Sequence, residues 1–326
     1  MELDHKIALS LSRLGSRGAF GQTLSELGAA CPELMVVVAD TLRSAKLEDF
    51  AARYPEKLIN VGICEQHMAS LSAGLAAEGH KVFMVSFAPF ATLRCYEQLK
   101  AQIGYMQLDV IIVGLLSGVA QGSAGNTHYA LEDAALLRLI PGMRVISPAD
   151  AAETCKAVEW CLQHPGPVYL RLTGLNGLPP VYKEDYDFVP GKAVVLREGT
   201  QVGILACGAP VGEALRAARL LDKQGLSCAL ANLHTLKPLD TTLLDDWARR
   251  FELLVSVEEH YRAGGLGSAV AEYTSALKGA APLVRLGFDD EFPKAGSCAW
   301  LLSQHGLNAQ GLASQIATAH RVLAES

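Results

Sequence analysis

Apolar positions in this chain come in blocks. Met35 to Ala39, Lys81 to Phe87, Val110 to Leu116, Arg144 to Ser147 and Val168 to Leu172 are short runs dominated by Val, Ile, Leu and Met, and longer stretches of helical character separate them. Continuous apolar runs, rather than an in-out alternation, mark strands covered on both faces, so the rhythm predicts a mostly parallel sheet flanked by helices. Gly174, Gly177, Pro179, Pro180, Pro190 and Gly191, interleaved with Asp185, Tyr186 and Asp187, then break the pattern and predict a linker over about 174–192. A second alternation follows, with strands at Val202 to Ala206, Ser227 to Ala231, Leu253 to Val257 and Leu283 to Leu286, and an amphipathic helix from Gly212 to Gln224. The pattern predicts two α/β domains, 1–180 and 193–326, each built on a mostly parallel sheet.

Composition narrows the class. Half of the 326 residues are hydrophobic and 19% are charged, enough apolar surface for a large core. The net charge of -6 provides no basic face, which argues against a nucleic-acid partner. Eight cysteines are scattered without a CxxC pair, as expected of reduced, mostly buried thiols in a cytoplasmic protein, and they suggest no metal site. The start, Met1 to Lys6, is polar, and no apolar run reaches the ~18 residues that a membrane span requires.

The most informative stretch is Asn60-Val61-Gly62-Ile63-Cys64-Glu65-Gln66, which sets one carboxylate between an extended segment and the small, apolar helix Met68 to Leu75. A glutamate there is predicted to be buried. Burying an unpaired carboxylate costs several kcal/mol, so Glu65 must be neutral, matched by a partner, or bonded to a group that takes up its proton. The plainer alternative is a first-turn glutamate stabilised by the helix dipole. Ala263-Gly264-Gly265-Leu266-Gly267 is read as a tight strand-to-helix turn, with phosphate binding as the other use of such a loop.

Asn60 to Met68, Ser86-Phe87-Ala88-Pro89-Phe90-Ala91-Thr92-Leu93-Arg94-Cys95-Tyr96-Glu97-Gln98, Gly125-Asn126-Thr127-His128 with Leu131-Glu132-Asp133, Thr235 to Asp240 and Glu258 to Gly267 are collinear over nearly the whole chain. Together they resemble the second half of transketolase, a pyrimidine-binding domain followed by a C-terminal domain. The resemblance implies thiamine diphosphate as cofactor. It makes Glu65 the acid that shares a proton with the cofactor's pyrimidine nitrogen, Phe87 and Phe90 aromatics packed on that ring, and Ile63 a further cofactor contact. It makes His128 a catalytic group facing substrate, and Asp40 and Ser44 substrate-binding positions. Each assignment has a simpler rival: core packing for the phenylalanines, a surface loop for His128, helix capping for Asp40 and Ser44.

The family's diphosphate and metal site, a Gly-Asp-Gly segment with a distal asparagine, has no counterpart in this sequence. The resemblance therefore implies one half of a split enzyme. A separate N-terminal subunit would bring the diphosphate site and Mg2+ or Ca2+, in an α2β2 heterotetramer with a large apolar interface. Three positions depart from transketolase: Leu116 stands for a histidine, Ala124 for an aspartate, and Gly174 lies near the place of an arginine. All three changes remove polar groups that would read hydroxyls or phosphate, which implies an atypical donor or acceptor. The leading expectation is transfer of a two-carbon ketol or related acyl unit between carbonyl compounds. The alternatives are the beta subunit of a 2-oxo acid dehydrogenase or pyruvate-using acyltransferase, and a non-catalytic regulatory subunit.

Overall fold

The computed structural model describes residues 3–175 and 177–325; Met1 and Glu2 of the polar start and Asn176 of the linker lie outside the described residues. Twelve strands form two sheets among them. The first sheet uses β1 (Leu34–Val38), β2 (Leu58–Asn60), β3 (Lys81–Phe87), β4 (Val110–Ser117), β5 (Arg144–Ile146) and β6 (Val168–Thr173). The second uses β7 (Val194–Arg197), β8 (Val202–Ala206), β9 (Cys228–Asn232), β11 (Leu253–Tyr261) and β12 (Leu283–Phe288). A short strand from the second half, β10 (Thr235–Lys237), crosses over and pairs antiparallel with β5.

The orders are β10-β5-β6-β4-β3-β1-β2 and β12-β11-β8-β9-β7. All neighbours run parallel except β10 on β5 and β7 on β9, the two edges added by short strands. Every residue of β4 is buried, which is why its sequence shows no alternation. On one face of the first sheet, Phe20 and Leu24 of helix His5–Leu27 and Val158 and Cys161 of helix Ala151–Gln163 pack on Phe83 and Ile111. On the other face, Met68, Leu99 and Ile103 cover Met84 and Ile112. That second core runs on without interruption into Leu205, Ala229, Leu236 and Trp247 of the second half.

The amphipathic helix lies at Pro210–Asp222, two residues earlier than the sequence predicts, because Pro210 fixes its first turn. No strand or helix interrupts the chain from Gly174 to Ala193 among the described residues. The glycine-rich turn after β11 leads into helix Leu266–Thr274, and its amides are already used: Leu266 N and Gly267 N donate to the Glu258 carboxylate at 2.7 and 2.8 Å. That carboxylate fills the anion position at the helix start, which removes the phosphate alternative. All eight cysteines are free, six of them buried, with Cys64 exposed and Cys298 half-buried.

Candidate active site

Parallel sheets present functional loops at the carboxyl ends of their strands. Here the ends of β1 and β2 are tied together by one side chain. Asn60 Oδ1 accepts from the backbone N–H of Asp40 and of Gly62, each at 3.0 Å. Asp40 takes φ 56° and Gly62 φ 72°, so both loops leave the sheet through left-handed residues. Three residues after Gly62 the helix Glu65–Ala77 begins, with Glu65 as its first residue. The first-turn placement and the burial that the sequence predicts are therefore both present.

Glu65 is 3% exposed and has found a partner. Arg94 Nη1 donates to both carboxylate oxygens, at 3.0 and 2.9 Å, while the Arg94 side chain remains 45% exposed. The local sequence makes this reach simple. β3 ends at Phe87, Pro89 opens the short helix Ala88–Thr92, and Phe90 and Arg94 then lie four residues apart. The guanidinium stacks on the Phe90 ring, 4.1 Å from its centroid. Phe90 also meets Phe87, with centroids 6.1 Å apart, and the edge of His128, at 5.3 Å and 70°. Phe87 and Phe90 are both half-buried, at the mouth of the sheet rather than sealed in the core.

Glu65, Arg94, Phe90, Phe87 and His128 thus form one contiguous cluster. Arg94 stands in the sequence within the Ser86 to Gln98 motif, but nothing in its spacing to Glu65 announces the pair; the one available sign is its position four residues after Phe90. The remaining predicted residues stand at the same end of the sheet or on its loops. Asp40 and Ile63 are exposed, Ile63 by 75%, and Ser44 is half-buried. Helix capping does not explain Asp40 or Ser44, because the following helix, Glu48–Arg53, begins after Leu47 with no side-chain cap. Leu116 is 8% exposed and takes φ 56°. A Cβ at Gly174 would collide with Leu116 Cδ2, so two of the three departures from transketolase are one packing solution.

Ala124 is exposed and ends the short turn Gly122–Ala124, three residues before Thr127. His128 is half-buried, with Nδ1 3.0 Å from Thr127 Oγ1. Its loop rests on the second half of the molecule. Asn126 Nδ2 donates to Pro293 O at 2.7 Å, Tyr129 Oη to Gly122 O at 2.7 Å and to Lys294 O at 3.1 Å, and Gly296 N to Gly122 O at 3.1 Å. A bridge between Gly118 and Ala130 closes the neck of the loop.

Under that neck lies a buried ionic cluster with no forewarning in the sequence. Arg171 Nε donates to Asp133 Oδ2 at 2.7 Å, and its Nη2 donates to Ala130 O at 3.0 Å and Glu259 O at 2.9 Å. Tyr169 Oη donates to the same Asp133 oxygen at 2.5 Å. The Glu259 carboxylate accepts from Val119 N at 2.8 Å, and burial pushes its pKa up to about 7 although Arg171 opposes the shift.

The cluster suits a flat, partly aromatic ring with hydrogen-bonding edges: a buried carboxylate, a phenyl beside it and a loop imidazole against that phenyl. The aminopyrimidine of thiamine diphosphate has this character. The residues do not suit a metal ion; among the described residues no group of three or more His, Cys, Asp or Glu side chains is placed to hold one. No helix among the described residues is long and apolar enough to cross a membrane.

Residues 13–177 match the transketolase pyrimidine-binding domain and residues 191–312 match the transketolase C-terminal domain. The chain is 36% identical over 300 residues to one of the subunits of the apulose-4-phosphate transketolase of Phocaeicola vulgatus, covering 92% of this chain and 95% of that one. It is also 36% identical to a putative transketolase C-terminal section of Methanocaldococcus jannaschii, over 93% of this chain and 95% of that one. Among solved structures, a split gene transketolase described as an inactive beta4 tetramer superposes with a TM-score of 0.85 at 38% identity, covering 94% of this chain and 98% of the other. This chain belongs to the transketolase family, with the family's pyrimidine-binding and C-terminal domains in tandem.

Proposed function

We propose that this chain is the pyrimidine-binding subunit of a split, thiamine-diphosphate-dependent transferase that moves a two-carbon ketol or related acyl unit between carbonyl compounds. The observation that carries the proposal is the buried Glu65 beside the Phe90 face, with His128 on the same ring. When bound, the cofactor supplies a nucleophilic ring carbon. Glu65 would hold a proton at the pyrimidine ring nitrogen, Phe87 and Phe90 would pack the ring, and His128 would donate to the substrate oxygen. Ile63 would add apolar contact to the cofactor; Asp40 and Ser44 would bind substrate.

The split-enzyme reading draws support from relatives that are themselves a transketolase subunit and a transketolase C-terminal section, and from the split-gene neighbour. A partner chain would bring the diphosphate and Mg2+ or Ca2+ ligands that this chain lacks, in an α2β2 complex. Leu116, packed on Gly174, and Ala124 would give the substrate side an apolar lining, which favours a donor or acceptor with fewer hydroxyls to read.

The test is Glu65→Gln in the complex with the partner chain. The amide keeps shape and one acceptor but cannot exchange the proton, so turnover should fall by a factor of about 10²–10⁴ with assembly intact. Near wild-type turnover would remove Glu65 from the chemistry. Product analysis with a ketose phosphate and with pyruvate separates transfer of a ketol from oxidative or acyl-transferring decarboxylation, which releases carbon dioxide.

A further inference from the structure

Arg94 has the shape and bonding of the group that Glu65 and Phe90 are proposed to receive. A guanidinium is flat, stacks on aromatic faces and hydrogen-bonds through its edge, as an aminopyrimidine does. In this structure it lies 4.1 Å from the Phe90 centroid and gives Nη1 to both Glu65 oxygens. One side chain thus covers a face of Phe90 and engages the whole carboxylate. We propose that Arg94 is a surrogate for the cofactor's pyrimidine, a plug that satisfies Glu65 until the ring arrives and then swings to solvent. This inference rests on the cofactor reading above.

Three observations favour displacement over a fixed support. First, the burial is one-sided: Glu65 is 2% exposed at its side chain and Arg94 45%, so the arginine has a route out and the glutamate does not. Second, Glu65 needs a partner at all times, because a buried carboxylate left alone costs several kcal/mol. A proton taken up by Glu65 from solvent as the arginine leaves, and shared with the ring nitrogen, replaces what the arginine gave. Third, the fork is used through Nη1 alone, so leaving breaks one donor's contacts rather than a network. The consequence is a cofactor affinity lowered by the population of the plugged state. Arg94 is in this sense a gating residue and takes no part in the chemistry.

The experiment measures the dissociation constant of thiamine diphosphate by calorimetry in the complex of this full chain with its partner, with saturating Mg2+. Arg94→Met removes both the charge and the flat donor, and should tighten binding about tenfold. Arg94→Lys keeps a charge for Glu65, and so protects folding, but loses the planar stack; binding should tighten about threefold. If the methionine variant fails to assemble, the lysine variant decides. Unchanged or weakened binding in every variant that assembles overturns the plug and makes Arg94 a fixed support. Glu65→Gln, assayed alongside, keeps the two readings apart. If it loses turnover while the Arg94 variants bind as wild type, only the plug fails; if it turns over normally, the cofactor reading fails.

Discussion

Two arginine–carboxylate pairs sit about the same loop system, and they are built differently. In Arg171–Asp133 both side chains are buried, at 6% and 0% exposure, and the arginine also holds the carbonyls of Ala130 and Glu259. In Arg94–Glu65 only the acid is buried, and the arginine binds one partner and one ring. The first pair fixes the neck of the His128 loop to β6 and β11, joining the two halves of the molecule where substrate would be read. The second can exchange its cation for a proton shared with another flat group, which leaves no unpaired charge in the core. Burial of both partners makes an ion pair architectural; burial of one makes it exchangeable.

The largest expected effect comes from breaking the architectural pair. Arg171→Met strands Asp133 in the core and frees two carbonyls, which should cost about 3–5 kcal/mol in urea unfolding. Arg94→Met also leaves a buried carboxylate without its partner, but it frees no backbone carbonyl, so it should cost less than Arg171→Met. Equal losses for the two variants would erase the distinction.

Next is the pH dependence written into the buried side of the comparison. Glu259 goes from an ordinary value of 4.5 to about 7 in the fold, because burial disfavours its charge. Between those values the folded chain holds more protons than the unfolded one, so stability falls as pH rises from 4.5 to 7 and levels off above. Asp150, raised to about 6 by burial, acts in the same direction. Glu259→Gln should remove its own share of the slope, leaving the variant more stable than wild type at pH 8 by up to about 3 kcal/mol and similar to it at pH 4. A wild-type slope retained in the variant would show that the Glu259 proton is not linked to folding.

The smallest effect concerns substrate choice on the exchangeable side. Ala124→Asp, on the exposed turn before Thr127, should shift the ratio of kcat/KM values toward a hydroxylated ketose over a deoxy or 2-oxo acid donor by about tenfold or more. An unchanged ratio in an intact complex would mean that position 124 does not face the donor.

Much of the first domain was legible because fully buried parallel strands and breaker-rich connections leave strong local patterns. β3 and β4 are obvious from composition, and the run from Asn60 to Glu65 reads as an extended segment leading into a helix start. The two-residue offset at Pro210 is the ordinary error of locating a helix by its apolar face. β2, β7 and β10 escaped, since three or four residues have no period to detect, while the equally short β5 was found only by its paired Val145 and Ile146. β10 exists because β5 offers a free edge to a segment some 90 residues further along the chain.

The sequence by itself determined the fold class, the two sheets and the placement of Glu65, Phe87 and Phe90 at strand ends, since each depends on residues near in the chain. It also determined that Glu65 would need a partner. Which partner, only the tertiary structure decided. Glu65 and Arg94 are 29 residues apart and meet because β1, β2 and β3 are adjacent. Arg171 and Glu259 are 88 apart and meet because the second half folds back against the His128 loop. Polar contacts of this kind depend on distance in space and on how much water is excluded around each partner. Neither quantity is written in the order of the residues.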